Sequence, residues 1–407
     1  MSRSVPPGGV SRRVGRPVPG SEGFSVATVG CETMTTDATV FLTGVPGFLG
    51  SALLPRLLAR GDGPVACLVQ PHHRETAERR LPAIREAARE RATSAERGAD
   101  SVDLPAVRLV EGDITEPDLG LGETRVSLLG VDTVYHLAAV YDLAVERAVG
   151  EAVNVDGTRH VLDFATEAGV DRLHYVSTCY VSGRYDGVFT ERHLREGQSF
   201  NNYYEATKYR AEVAVREAMA AGLPATVYRP AIVVGDSQTG ETGKFDGPYH
   251  FLRVLDAQPG PVSVVPQLPG AARTELNVVP RDFVVDAVAA LSGRADTAGE
   301  TFQLCDPAPA TLPTFVDAVA DAMGERAVAV PAPKSVVRRG MRALRRRGVA
   351  TEPATIDYFD HPTRYANPAT QRALADTDLQ CPPLAAYVDR LVDYYRRNPD
   401  GRVEAMT

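Results

Sequence analysis

Residues 39–50, TVFLTGVPGFLG, constrain the fold of this chain more than any other stretch. Thr39 to Leu42 are apolar or β-branched and run into Thr43, Gly44, Gly47 and Gly50, after which comes the leucine-rich segment SALLPRLLAR. The pattern predicts a buried strand, a glycine turn and a helix. Such a turn lets the backbone approach a pyrophosphate, and the first N–H groups of the helix face that anion. The remaining sequence is therefore read for what a dinucleotide held there requires. Pro55 falls inside the helix, where proline removes a hydrogen bond and tends to kink the axis.

Strands and helices go on alternating. Residues 65–69, 107–111, 132–136 and 173–178 and the ATVYR run at 225–229 read as further strands, with a helix from about Tyr203 to Ala221. Alternation of this kind predicts an α/β fold with a Rossmann-type, doubly wound parallel sheet. Residues 74–98 have sparse apolar positions (Leu81, Ile84, Ala87, Ala88) and read as a surface helix inserted after the second strand. Beyond residue 230 the pattern loosens. Helices are predicted near 249–257, 311–323 and 384–397, a strand running into a helix at 277–291 and a strand at 302–306. The segment GDSQTGETGKFDGP before the first of these helices reads as loop, and a proline-rich stretch follows at 259–270. The predicted organisation is a disordered tail over 1–36, a dinucleotide-binding core over 37–235, and a smaller C-terminal substrate-binding lobe over 236–400 interleaved with the last core strands. Met34, just ahead of the first strand, is an alternative start.

The end of the second strand bears on the choice of cofactor. A NAD site places Asp or Glu there for the ribose hydroxyl, whereas an NADP site brings arginine. Here the strand ends at Gln70, with His72, His73 and Arg74 behind it and no carboxylate before Glu75. NADP is favoured, with NAD as the alternative.

Composition removes several classes of function. A net charge of −8 argues against non-specific nucleic-acid binding. The five cysteines (31, 67, 179, 305, 381) form no CxxC pair, so neither a zinc site nor a disulfide framework is indicated, and reduced thiols suit a cytoplasmic protein. No apolar run approaches the ~20 residues of a membrane span. Of the 44 basic residues only Lys208, Lys244 and Lys334 are lysine. In a chain that uses arginine by default, each lysine invites a reason, because its ammonium pKa can be moved and that of arginine cannot.

Tyr204 and Lys208 are four positions apart on one predicted helix and share a face. Thr178 ends a strand, and strand ends and the following helix starts lie together on the ligand side of such a sheet. A hydroxyl, a phenol and an ammonium then converge beside the place for a nicotinamide. A free tyrosine has a pKa of ~10, and a neighbouring ammonium with an oxidised nicotinamide would lower it. Tyr204 could then pass a proton to or from a substrate oxygen held by Thr178. His136 reads as a packed strand histidine and Tyr203 as packing. Strand alternation turns Cys179 away from Thr178.

The order of these motifs resembles the extended short-chain dehydrogenase/reductase superfamily. The glycine turn, YVSTCYVSG at 175–183 and YYEATK at 203–208 carry the resemblance, which covers about residues 38–400. It implies that Gly44, Gly47 and Gly50 form the TGxxGxxG motif, with Phe48 and Leu49 over the pyrophosphate. Asp113 and Ile114 would contact adenine, and Ala138 and Ala139 would line the cofactor. Thr178, Tyr204 and Lys208 would be catalytic, Lys208 also holding the cofactor ribose, and Arg229-Pro230 would border the substrate. GFLG, CLV, VEGDITEPDLGL at 110–121 and CPPLAAYVDRLVDYY are similar to the thioester reductase and fatty acyl-CoA reductase branch, the male sterility type. Gln70 departs from the arginine common there.

That branch implies an NAD(P)H-dependent oxidoreductase that reduces an acyl thioester, free or carrier-bound, to aldehyde or alcohol. A NAD-dependent sugar-nucleotide epimerase/dehydratase or a ketone reductase would share the same residues; a non-catalytic NADP sensor would not need Tyr204. The partners implied are a small-molecule substrate, acyl-CoA or an acyl carrier protein. A homodimer is admitted but not specified. Arg338, Arg339, Arg342, Arg345, Arg346 and Arg347 read as a solvated basic helix or, functionally, as a dock for coenzyme A phosphates or an acidic carrier.

Overall fold

β1 (Val40–Thr43) is buried along its whole length, as the run VFLT leads one to expect for the middle of a sheet covered on both faces. The computed structural model describes residues 39–95, 103–258, 260–346 and 353–398, so the tail over 1–36, Cys31 and Arg347 lie outside the described residues. After β1 come α1 (Phe48–Arg60), β2 (Val65–Val69), α2 (Arg74–Ala95), β3 (Val107–Glu111), α3 (Thr124–Leu128) and β4 (Thr133–His136). Next are α4 (Arg147–Gly150), a six-residue π-helical stretch (Glu151–Asp156), α5 (Gly157–Ala168), β5 (Arg172–Val176), β6 (Gly187–Phe189), α6 (Tyr203–Ala220) and β7 (Ala225–Pro230).

The remaining part contains β8 (Ile232–Val234), α7 (Tyr249–Asp256), β9 (Val262–Gln267), β10 (Val278–Pro280), α8 (Arg281–Ser292) and β11 (Thr301–Leu304). It ends with α9 (Leu312–Met323), β12 (Arg326–Pro331), α10 (Lys334–Arg346), β13 (Thr363–Tyr365), α11 (Pro368–Ala373) and α12 (Val388–Arg397).

Seven strands form one sheet in the order β11-β7-β5-β4-β1-β2-β3. Every pairing in it is parallel. The chain grows outward from β1 through β2 and β3, then returns to β4 on the other side. This is the doubly wound order, and it opens a crevice at the carboxyl ends of β1 and β4. One face of the sheet packs on α1, α2 and α8 through Leu53, Leu57, Ile84 and Val288. The other packs on α5 and α6 through Phe164, Val161 and Val215.

α2 differs from the expectation of an inserted surface helix. Ala77, Ile84 and Ala88 are buried, so α2 is the β2-to-β3 crossover itself, apolar on one stripe and charged elsewhere. α1 continues through Pro55, which is buried. Within the proline-rich stretch 259–270 lies β9, which pairs with β12. β8 pairs with β10, and β6 with β13. These short pairs join strands distant in sequence, which local periodicity does not reveal. Tyr249, Phe251, Phe315, Val319, Leu391 and Tyr395 belong to a second apolar cluster, built by segments from β8 to α12. No helix among the described residues is long and apolar enough to cross a membrane.

Candidate functional site

At the β1/β4 crevice lies a cavity of about 1050 Å³. The glycine turn forms its floor. Gly44 has φ +93, and a Cβ there would stand 2.9 Å from the backbone nitrogen of Ala138. A Cβ on Gly50 would stand 2.3 Å from the carbonyl oxygen of Gly44. Only glycine permits this approach of turn, helix and β4 loop. α1 starts at Phe48 with no acidic side chain in its first turn, so its free N–H groups face the cavity uncompensated. Gly47, Phe48 and Leu49 line the cavity, as do Ala138 and Ala139. The Arg281 guanidinium lies over the Phe48 ring, 5.0 Å from its centroid.

Thr43 and His136 staple the two strands at this point. Thr43 Oγ1 accepts from the amides of Leu137 and Ala138, each at 3.2 Å. The Thr158 hydroxyl donates to Asn154 O at 2.7 Å, so it accepts from His136 Nε2 at 3.1 Å. His136 Nδ1 is then the acceptor for the Thr43 hydroxyl at 2.9 Å. Burial, aided by the Lys208 charge, pushes the His136 pKa down to about 3. The imidazole is neutral and holds the strands; it is not placed as a base.

Past the ends of β2 and β3 Asp113 accepts from Thr115 N at 2.8 Å, and Gln70 Nε2 donates to Asp113 Oδ2 at 2.7 Å. Burial acts to raise the Asp113 pKa, but these hydrogen bonds outweigh it and the carboxyl titrates low. Ile114 packs toward Gly157, where an added Cβ would meet its Cδ1 at 2.8 Å. The basic groups after β2 are distributed differently from the sequence reading. Arg74 turns to Glu78 and Glu111 on the surface. His72, His73 and Arg80 line the cavity, and Arg80 Nη1 donates to Pro46 O at 2.6 Å. Arg80 was not singled out in the sequence because α2 is rich in arginine; its spacing from Ala83, Ile84 and Ala87, which also face the cavity, is the signal. The glycine cradle, the free helix start and the cations beyond β2 fit a dinucleotide.

At the other end Thr178, Tyr204 and Lys208 line the same cavity. Thr178 lies past the end of β5, capping a short 3-10 turn at Cys179–Ser182 and accepting from Tyr180 N at 3.2 Å. α6 begins at an N-cap, Asn202, whose side chain accepts from Glu205 N, so the helix start that presents Tyr204 is fixed. Lys208 Nζ donates to Tyr175 Oη and to Val176 O, both at 2.9 Å. Burial brings the Lys208 pKa down to about 7, against the opposing charge of Glu212. Burial raises the Tyr204 pKa above the usual phenol value, and a hydrogen bond from Thr178 opposes this only in part, while Glu205 and Asp246 add to the rise. Lys208 is committed to Tyr175 and β5, so its ammonium does not offset that burial.

Three further readings are corrected. Arg229 is fully buried and does not border the cavity; it pairs with Glu212 at 2.6 Å, and only Pro230 lines the cavity. Cys179 is not on a strand: it opens the 3-10 turn, where its thiol donates to Arg229 O at 3.0 Å. Tyr203 is 49% exposed and is not a packing residue. Of the three lysines, Lys244 lines the cavity and Lys334 pairs with Asp357 and Asp360. Tyr141, Tyr180, Tyr358, Phe251 and Phe359 also line it, from segments far apart in sequence.

This geometry is that of an extended short-chain dehydrogenase/reductase, with a dinucleotide crevice leading into a Thr-Tyr-Lys cluster. The profile of the family described as "Male sterility protein" matches residues 42–288, more than half of the sequence, and the chain belongs to that family. It is 26% identical over 387 residues to a linear gramicidin synthase of Brevibacillus parabrevis, covering 90% of this chain and 7% of that protein. It is 31% identical over 292 residues to glycine betaine reductase ATRR of Emericella nidulans, covering 68% of this chain and 22% of that one. The chain thus spans a minor part of the curated relatives it matches. The terminal R domain from the myxalamid PKS-NRPS biosynthetic pathway superposes with a TM-score of 0.72 at 26% identity, covering 91% of this chain and 92% of that one.

Proposed function

We propose that this chain reduces an acyl thioester to an aldehyde with NADPH, Thr178, Tyr204 and Lys208 being the catalytic residues. The observation that carries the reading is one continuous cavity. It joins the glycine cradle to these three side chains and continues into a chamber walled by Phe251, Tyr358 and Phe359, where an acyl group fits. The terminal R domain similarity supports it, as does membership of the male sterility family. The bound nicotinamide would supply the hydride. Thr178 and Tyr204 would hold the carbonyl oxygen, and the raised pKa of Tyr204 keeps the phenol protonated, as a proton donor to a developing oxyanion requires. Lys208 would orient the ribose.

NADPH is favoured because no carboxylate follows β2 and His72, His73 and Arg80 face the cavity there. We place the substrate-binding lobe in the segments that build the second apolar cluster. The thioester would be presented by coenzyme A or an acyl carrier protein, in the cytoplasm. α10 is suited to receive it: Lys334 and Arg338 pair with Asp357, next to the cavity-lining Tyr358, while Arg339 and Arg342 stay exposed. The test is purified protein with NADPH or NADH against acyl-CoAs, ketones and sugar nucleotides. Thiol release with NADPH oxidation only on acyl-CoA supports the reading. Conversion of a sugar nucleotide without net oxidation overturns it.

A further inference from the structure

A second phenol stands beside Tyr204 and has no part in the reaction as described so far. Tyr141 lies on the loop leaving β4, and its ring meets that of Tyr204 edge to face, with centroids 5.1 Å apart and planes at 88°. It lines the same cavity as Thr178, Tyr204 and Lys208. Tyr141 is 42% exposed. Desolvation, with Asp246 nearby, raises its phenol above the usual range and keeps it protonated. Among the described residues its hydroxyl has no hydrogen-bond partner. The hydroxyl is thus available to donate to a group bound in the cavity.

The position of Tyr141 is not left to a loose loop. The neighbouring Val140 donates its amide to Asn154 Oδ1 at 2.9 Å and accepts from Asn154 Nδ2 at 3.2 Å. Asn154 Nδ2 also donates to Thr207 Oγ1 at 3.0 Å, one residue before Lys208. Asn154 sits in the π-helical stretch Glu151–Asp156, whose irregular ladder turns this side chain inward. The loop carrying Tyr141 and the helix carrying Tyr204 are therefore fixed to each other through one amide.

We infer that Tyr141 donates a hydrogen bond to the departing sulfur of the substrate, which makes it a second catalytic phenol. The inference rests on the acyl-thioester reading. In that reading the carbonyl oxygen is served by Thr178 and Tyr204, and Lys208 is engaged with Tyr175 and Val176, so none of these three serves the sulfur, and Tyr141 is the phenol in ring contact with Tyr204. The step concerned is collapse of the hemithioacetal. Its hydroxyl proton returns to the Tyr204 phenolate, the C=O bond re-forms, and the C–S bond breaks with its electron pair passing to sulfur. The thiolate accepts a hydrogen bond from Tyr141 Oη and then takes a proton from solvent, giving aldehyde and thiol. An alkyl thiol resembles cysteine, with a pKa of ~8.5, so it leaves as an anion that a preorganised donor stabilises.

The experiment compares the full chain with Tyr141→Phe on two thioesters of the same acyl group, one of coenzyme A and one of thiophenol. Thiol release and NADPH oxidation are followed together, and NADPH affinity is measured by fluorescence titration. The aryl thiolate is the more stable anion and needs less help in leaving. The expected result is a loss of ~10-fold or more in kcat with the coenzyme A thioester, a loss under ~2-fold with the phenyl thioester, and unchanged NADPH affinity. Equal losses on both substrates, no loss on either, or weakened NADPH binding would each overturn the assignment. If the unmodified chain releases thiol from neither thioester, the acyl-thioester reading itself has failed, a result distinct from these three.

Discussion

The two ends of the cavity are built in different ways. The dinucleotide end is assembled from short contiguous motifs: Gly44 to Gly50 on one turn, Asp113 and Ile114 after one strand, Ala138 and Ala139 after the next. The end proposed for the acyl group draws Tyr141 from the β4 loop, Tyr180 from the turn after β5, Phe251 from α7, and Tyr358 and Phe359 from the segment after α10. A site made of backbone turns at strand ends is written locally, because glycine and helix starts do the work. A site made of side chains from distant segments is written only in the packing. The difference predicts that changes at the first end act on cofactor affinity and that changes at the second act on turnover or on the acyl substrate.

The largest expected effect is at the junction of the two ends. Tyr204→Phe keeps the ring and its edge-on contact with Tyr141 but removes the proton donor. Turnover should fall by ~10²-fold or more while NADPH affinity stays within a factor of ~2, read from steady-state kinetics and fluorescence titration. Near-normal turnover would remove Tyr204 from the chemistry. Next comes the buried pair beneath the site. Glu212 and Arg229 are both fully buried, 2.6 Å apart, and Ser177 also donates to Glu212 at 2.7 Å. Glu212→Gln leaves an uncompensated guanidinium and should cost ~3–5 kcal/mol in urea unfolding. Loss of less than ~1 kcal/mol would show that the pair is not needed to hold α6 against β7.

At the dinucleotide end, Gly50→Ala places a methyl 2.3 Å from the Gly44 carbonyl. The turn must shift, and NADPH affinity should weaken by ~10-fold or more while the fold persists. Equal affinity would mean that the turn does not receive the pyrophosphate.

A smaller effect concerns pH. Burial brings the Lys208 pKa from 10.5 down to about 7. The folded state then holds fewer protons than the unfolded state between these values, so this group's contribution to stability rises with pH across the window and is lost as pH falls toward 7. The unfolding free energy of the native chain minus that of Lys208→Met should therefore increase from pH ~7 to ~10. A flat difference would contradict the assigned shift. The smallest effect is at the surface. Changing Arg339, Arg342 and Arg346 to Gln should raise KM for acyl-CoA by ~2- to 5-fold at low salt and leave KM for NADPH unchanged. An unchanged KM for acyl-CoA would remove α10 from substrate capture.

The same contrast sets how much was legible in the sequence. The strand–turn–helix at 39–60 and the parallel sheet followed from apolar runs and glycines, since a doubly wound sheet is assembled from repeated local units. The grouping of Thr178, Tyr204 and Lys208 followed from a strand end and an i, i+4 spacing. Arg229 was misplaced because the resemblance to a family segment bordering the substrate carries no information on burial, whereas the deciding fact is its buried ion pair with Glu212 of α6. Spacing puts Lys208 on the face of Tyr204, but only the packing shows its ammonium bonded to Tyr175 and Val176. β9, β12 and β13 were not seen, because each pairs with a strand far along the chain. Tyr141 carries no motif, and its value lies in the ring contact with Tyr204.

The central claim is that the cavity holds NADPH at one end and an acyl thioester at the other, with Tyr204 between them. A single-turnover experiment tests it most directly: enzyme with NADPH is mixed with an acyl-CoA, and free thiol, aldehyde and oxidised cofactor are quantified together. The account predicts the three in equal amounts from the native chain and their formation slowed ~10²-fold or more in Tyr204→Phe. Oxidised cofactor without thiol, or thiol release without cofactor oxidation, would contradict it.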